Sequence, residues 1–315
     1  MTAPEVVVLG RIAYDLIAEE ANVPLARVRK FVRYLGGSSA NMAVGLARLG
    51  ARTGMVAALG PDGLSDFLED FLKSEGIDTT HVQRVPGFLP QLALTELFPP
   101  DRFPQVFYRV DPADTKLAAN EEMLRYVEGA QMLVTNGTSL CAEPSRGSTY
   151  RAMERAHRSG TSVVFDVDYR SMSWPGPTEA AAAVERALLW IDVLLANEPE
   201  LKMVAHTTDV NEAAKLLAGR VPTLVSKLGG QGTRVWQGGD SVFEPPYKVP
   251  VVSTIGAGDG FAAGFLYGLL RGLPLVECLH HGNASAAIVV SRLDCSEAMP
   301  RLEEIQRLMV EQRER

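Results

Sequence analysis

Short β-branched and apolar runs alternate along the chain with longer stretches in which apolar residues recur every third or fourth position, the signature of buried strands separated by amphipathic helices. The runs predict strands at Val6-Leu9, Gly54-Ala58, Met132-Thr135, Ser162-Asp166, Val193-Ala196 and Thr223-Lys227. Helical spacing predicts helices at Ser39-Leu49, Leu64-Ser74, Glu121-Glu128, Ser145-Ser159, Glu179-Leu189, Asn211-Leu217 and Leu302-Gln312, with another from about Gly260 to Arg271. In the second of these Leu64, Phe67, Leu68, Phe71 and Leu72 mark one face. Such alternation builds an α/β fold with a mostly parallel sheet flanked by helices.

Two stretches break the rhythm. Ile12 to Tyr34 and Gln91 to Val110, the latter with a Pro99-Pro100 turn, alternate as antiparallel strands do and predict a separate small sheet. No fixed-period repeat, low-complexity tract or Pro/Ser-rich linker divides the chain. Residues 1–315 therefore read as one domain, with the small sheet, built from about 11–36 and 88–112, as an appendage placed to act as a lid.

Composition narrows the function classes. A chain of 315 residues, 46% hydrophobic, can bury a sizeable core. A net charge of −7 with Lys and Arg dispersed argues against a nucleic acid or an anionic membrane held by bulk electrostatics, yet leaves room for a small anion at a local site. Cys141, Cys278 and Cys295 lie far apart with no CxxC pair, so neither a disulfide framework nor a thiolate metal site is expected, and a reducing cytoplasm fits. The first apolar run, Val6 to Leu9, is too short for a signal peptide, and the longest, Phe261 to Leu270, too short for a membrane span. His81, His157, His206, His280 and His281 show no metal-ligand spacing; His280-His281 reads as a helix surface.

The most informative chemistry is Thr254-Ile255-Gly256-Ala257-Gly258-Asp259-Gly260-Phe261. Gly256, Ala257 and Gly258 leave backbone N–H groups uncovered, and the helix that follows adds the positive end of its dipole, a setting that holds a phosphate. A carboxylate in an anion site has a purpose if it removes a proton from an incoming hydroxyl, so Asp259 reads as a general base. A simple helix cap would look the same in isolation.

A second cluster, Gly36-Gly37-Ser38-Ser39-Ala40-Asn41, lets a ligand approach the backbone, and Asn41 offers a donor and an acceptor to a hydroxyl. It describes a polyol site or, equally, a turn capped by Ser38 or Ser39. Asp15, an acid in an apolar stretch, is a candidate for gripping sugar hydroxyls or an exposed turn acid. Asn197 and Glu200 follow a buried strand at the edge where α/β ligands bind; they suit a Mg²⁺ that keeps most of its waters, or a helix start with Pro199 in its first turn. Lys227 precedes the turn Gly229-Gly230-Gln231-Gly232 and is placed to reach nucleotide phosphates. Tyr108-Arg109 ends a lid strand and Arg170 follows a sheet strand; the guanidinium pair suggests a substrate with a carboxylate or carbonyl, although an ion pair of Arg170 with Asp166 or Asp168 fits as well. No GxxxxGK[ST] or strand-opening GxGxxG is present, which excludes a P-loop or dinucleotide-binding motif.

Gly36-Gly37 with Asn41, Gly60-Pro61-Asp62-Gly63, Asn197 with Glu200, Lys227-Leu228-Gly229 and Gly256-Ala257-Gly258-Asp259 fall in an order that resembles the ribokinase-like, or PfkB, family of carbohydrate kinases over nearly the whole chain. The resemblance implies a three-layer α/β/α fold with a β-sheet lid often used for dimerisation. It also implies ATP and Mg²⁺ as cofactors, Asp259 as general base, the Gly256 to Gly258 backbone as anion hole, and Asn197 and Glu200 as organisers of Mg²⁺. Asp15, Gly36, Gly37 and Asn41 are then expected to bind the sugar, and Gly229, Gly232 and Asn283 to join Lys227 on the nucleotide side. Tyr108-Arg109, Asp166 to Arg170 with Trp174, Gly137-Thr138 before Pro144-Ser145-Arg146 and Asp294 to Pro300 look most like the members acting on 5-dehydro-2-deoxygluconate, then those acting on 2-keto-3-deoxygluconate. Ser253 stands where many members carry an Asp that shapes a monovalent-cation site, so potassium activation is not implied. Other sugar kinases, a nucleoside kinase and a non-catalytic sugar-binding protein stay open.

Overall fold

The computed structural model describes residues 3–99 and 102–313, so Pro100 of the expected Pro99-Pro100 turn lies outside the described residues. The first half of the chain runs β1 (Val6–Leu9), β2 (Ala13–Ala21), β3 (Phe31–Gly36), α1 (Ser38–Arg48), β4 (Thr53–Leu59), α2 (Gly63–Ser74), β5 (Asp78–Arg84), β6 (Gln91–Leu97), β7 (Gln105–Tyr108), α3 (Glu121–Glu128), β8 (Met132–Asn136) and α4 (Ser145–Ser159). The second runs β9 (Ser162–Asp166), α5 (Pro177–Ala187), β10 (Val193–Asn197), α6 (Glu198–Ala205), α7 (Val210–Ala218), β11 (Thr223–Lys227), β12 (Thr233–Gln237), β13 (Asp240–Glu244), α8 (Ala257–Leu270), α9 (Leu275–Val290) and α10 (Leu302–Arg313).

Nine strands form the central sheet in the order β13-β12-β11-β10-β9-β8-β1-β4-β5. It is parallel except for the β11–β12 and β12–β13 pairs. Side chains alternate across it into two cores. Val6 and Val8 of β1 face a layer containing α1, α2, α8 and α9, while Val7 and Leu9 face α3 to α7. Parallel strands buried on both faces read as continuous apolar runs, which is why the hydrophobic pattern located them. The four-stranded sheet β3-β2-β6-β7 is the expected separate small sheet, with β2 parallel to β6 and the outer pairs antiparallel.

Several elements have no counterpart among the predicted ones. β5, Asp-Thr-Thr-His-Val-Gln-Arg, is an edge strand too polar to show as a run. The β12–β13 hairpin turns at Gly238-Gly239, both at positive φ, as a two-residue turn between twisted strands requires. α9 is buried over much of its surface and lacks a clear apolar stripe. On it His281 is buried, with Nδ1 2.8 Å from the Glu277 carbonyl, which corrects the surface placement of His280-His281: the partly exposed member is His280.

α8 and α9 pack closely because Gly260, Gly264 and Gly268 face α9 at four-residue spacing. A Cβ on Gly264 would stand 2.4 Å from the His281 carbonyl oxygen and 2.9 Å from Ser285 Cβ. Backbone cannot yield as a side-chain tip can, so Gly264→Ala is expected to destabilise the protein by roughly 1–3 kcal/mol, read from urea unfolding midpoints.

Candidate active site

The carboxyl ends of the parallel strands deliver most of the candidate residues to one edge, where open α/β sheets bind ligands. Arg11 follows β1, Asp168 and Arg170 follow β9, and Asn197 and Lys227 end β10 and β11. Two helix starts meet the same crevice. Gly256, the cap of α8, has φ +79, a left-handed conformation that glycine adopts without a Cβ penalty. Gly37, the cap of α1, has φ +93, and a Cβ there would stand 2.6 Å from the Arg11 carbonyl oxygen. Each helix leaves N–H groups of its first turn without intrahelical acceptors.

Asp259 lies between these two helix starts. Its Oδ1 accepts from Ser38 Oγ at 2.7 Å and its Oδ2 from Asn41 Nδ2 at 2.8 Å. Burial raises its pKa to about 6, with the Asp168 charge adding to the rise and the bonds from Asn41 and Ser38 opposing it. The Asn41 amide oxygen is buried with no protein partner, leaving an acceptor for a ligand hydroxyl. Asp15, on β2, lies against Gly36, where an added Cβ would fall 2.0 Å from its Oδ2. Its pKa also rises to about 6 through burial, moderated by Arg11 and increased by Asp259.

At the sheet edge Lys227 Nζ donates to both Asp166 oxygens, at 2.9 and 2.6 Å. The same ammonium is 3.7 Å from where a Cβ on Gly258 would be, so a cation flanks the glycine turn. Burial opposes its charge, but Asp166 and Glu200 outweigh that and raise the Lys227 pKa. Asn197 and Glu200 form a reciprocal capping box: Asn197 Oδ1 accepts from Glu200 N, and Glu200 Oε2 from Asn197 N. Glu200 Oε1 also accepts from Tyr169 N at 2.9 Å. Among the described residues no group of three or more His, Cys, Asp or Glu is arranged to hold a metal. Asp166 and Glu200 carry two negative charges against one on Lys227, and oxygen donors with that imbalance fit Mg²⁺ held mainly by water and phosphate.

The remaining candidates are more committed within the protein. Arg170 is 2.9 Å from Asp168, the ion pair left open by the sequence, and its side chain is 49% exposed. Arg109 is not: it grips Asp114 with two bonds, at 2.9 and 2.7 Å, and also donates to Gln91 and Ser173. Tyr108 is 63% exposed at the end of β7. Asn283 is buried, accepting from Thr233 Oγ1 and donating to the Pro245 carbonyl, and so braces α9 against the β12–β13 hairpin. Gly232 is crowded by the Glu244 carbonyl, whereas Gly229 faces open space. Ser253 Oγ accepts from Ile255 N in the turn before α8. The sequence reading missed Ser38, which donates to Asp259, and Arg11, which donates to Gln91.

A two-core α/β sheet with a small-sheet appendage, and a carboxylate set between helix N-termini beside a lysine, define a phosphotransferase acting on an alcohol. The pfkB family carbohydrate kinase model matches residues 3–302. The 5-dehydro-2-deoxygluconokinase of Geobacillus thermodenitrificans is 36% identical over 96% of this chain and 92% of its own, and that of Bacillus subtilis is 35% identical over 97% and 95%. Fructokinase with bound ATP from Xylella fastidiosa superposes with a TM-score of 0.84 at 27% identity, covering 98% of each chain. The chain belongs to the pfkB family of carbohydrate kinases, and it is an enzyme that phosphorylates a sugar.

Proposed function

We propose that this kinase transfers the γ-phosphoryl group of ATP, with Mg²⁺, to the terminal hydroxyl of a keto-deoxy sugar acid, 5-dehydro-2-deoxygluconate. The observation that carries the reading is Asp259, fixed by Ser38 and Asn41 at the start of α8 with Lys227 beside the glycine turn. The names of the relatives supply the substrate, and the ATP-bound fructokinase supplies the donor. Asp15, Gly36, Gly37 and Asn41 orient the sugar, and Asp259 accepts the hydroxyl proton as the phosphoryl group moves in line. The amides of Gly256 to Gly258 and the Lys227 ammonium stabilise the transferring group. Asn197, Glu200 and Asp166 would hold the metal, Glu200 through water because its two oxygens already accept backbone N–H bonds from Tyr169 and Asn197. Bound Mg²⁺ neutralises phosphate charge. Lys227, Gly229 and Gly232 form the nucleotide side, with Asn283 bracing it from behind.

The four-stranded sheet is placed to close over the sugar and exclude water. Its strands leave Val32, Val106 and Tyr108 between 41% and 63% exposed, which supports a homodimer formed through the lid. The three free cysteines support a cytoplasmic setting. Among the described residues no helix is long and apolar enough to cross a membrane.

ADP release measured with 5-dehydro-2-deoxygluconate, 2-keto-3-deoxygluconate, fructose, ribose and adenosine tests the substrate; the highest kcat/KM is expected for the first. A preference for ribose, fructose or adenosine overturns it. The pH profile gives a second test. A raised carboxyl pKa means that Asp259 is protonated below about 6 and cannot act as a base there, so kcat/KM for the sugar should fall as pH drops through about 6 and level off above it. A profile flat down to pH 5, followed by direct product detection, contradicts the assignment.

A further inference from the structure

Arg11 is buried, 7% exposed, two residues beyond the carboxyl end of β1. Its NH1 donates to Gln91 Oε1 at 2.6 Å, and its Nε is buried with no hydrogen-bond partner. Among the described residues no carboxylate is paired with it. The same Gln91 oxygen accepts from Arg109 NH1 at 2.9 Å, so two guanidinium groups share one neutral acceptor. Asp114 answers the charge of Arg109 and Asp168 that of Arg170. Both aspartates also act on Arg11 through space, but neither bonds to it, so Arg11 is left with no bonded carboxylate and an open donor at Nε. Buried charges without partners are costly unless a ligand completes them.

Its place says which ligand. The Arg11 carbonyl lies under Gly37, and its charge acts on Asp15. Both belong to the sugar side of the crevice, whereas Lys227 and the glycine turn serve the phosphate side. An anion arriving beside Arg11 is thus the acceptor's own. Resting on the sugar-acid reading above, we propose that Arg11 is the residue that binds the acceptor's carboxylate, with Arg109 and Gln91 as the support that aims it, and that this makes the kinase selective for sugar acids over neutral sugars. A planar guanidinium matches a carboxylate, and a neutral acceptor would leave the buried donor unmatched.

Two variants test this in the full-length enzyme. Arg11→Met is expected to raise KM for 5-dehydro-2-deoxygluconate about 10- to 100-fold, the range for losing charged hydrogen bonds, with a smaller change in kcat and none in KM for ATP. The methyl ester of the same acid, which keeps the carbonyl acceptor but not the charge, should lose much less in kcat/KM than the acid does. Gln91→Glu keeps Arg11 but gives it an internal carboxylate; KM for the acid should rise similarly while the melting temperature is unchanged or higher. If Arg11 were only structural, Gln91→Glu would leave the acid's KM as in the wild type and Arg11→Met would impair acid and ester equally; either result overturns the proposal. Should Arg11→Met fail to fold, Gln91→Glu decides alone. A wild-type enzyme that phosphorylates none of the sugar acids but accepts neutral sugars refutes the underlying substrate reading instead.

Discussion

Asp259→Asn is expected to lower kcat by about 10²- to 10⁴-fold, the range for loss of a general base, while nucleotide affinity is retained. The amide is nearly the same size, so Ser38 still donates to the Oδ1 position. Asn41 would meet a donor where it now meets Oδ2, but its own amide oxygen has no protein partner, and turning that amide restores the bond. The variant should therefore fold and bind ATP. It should also be more stable than the parent at neutral pH. The folded-state pKa of Asp259 is raised to about 6, so the native state gives up stability as pH rises through that value and the carboxyl ionises in a buried setting. The gain in melting temperature is present above about pH 6 and fades below it. Single-turnover measurements and melting curves at pH 5 and 8 check both halves; retention of most of the parent's turnover would mean that the alcohol loses its proton elsewhere.

The second large effect is on Lys227. Its side chain is 15% exposed and that of Asp166 3%. Lys227→Met removes one partner of a buried ion pair, and stranding the other costs about 3–5 kcal/mol. Burial already holds the Asp166 pKa above its usual range, with Lys227 pulling it down. Without the ammonium it rises further, so the deficit is present at neutral and alkaline pH and shrinks as acid protonates Asp166. Lys227→Met with Asp166→Asn removes the stranded charge and should recover stability. It should not recover phosphoryl transfer, because the cation beside Gly258 is still missing and the carboxylate of Asp166 is gone as well. Urea titrations at pH 5 and 8, with kcat/KM for ATP, separate these contributions. Equal stability of the single variant and the parent at pH 8 would show that Asp166 does not depend on Lys227.

What the sequence made legible depends on how local each feature is. The central strands and the two glycine-led helix starts are contiguous in the chain, and the capping box is spelled by Asn197 and Glu200 three positions apart. The Gly238-Gly239 turn is equally local and could have been read from the alternation on either side of it. α9 offered little, because a helix covered on several sides has no polar face to set its period. The open donor of Arg11 could not be read at all. It follows from Gln91, 80 positions away, and from Arg109 being answered by Asp114, facts that exist only after folding. Ser38 was likewise seen as a turn residue, since its contact with Asp259 spans 221 positions.

The glycine stripe of α8 ties chemistry to assembly. Three interior glycines lower the intrinsic helicity of that segment by about 1 kcal/mol each relative to alanine, so the helix depends on being covered by α9. The turn that carries Asp259 is the leading end of this helix. The position of that carboxylate therefore rests on the α8–α9 contact, and a substitution that loosens the helical pair is expected to reach the crevice without touching any residue that lines it.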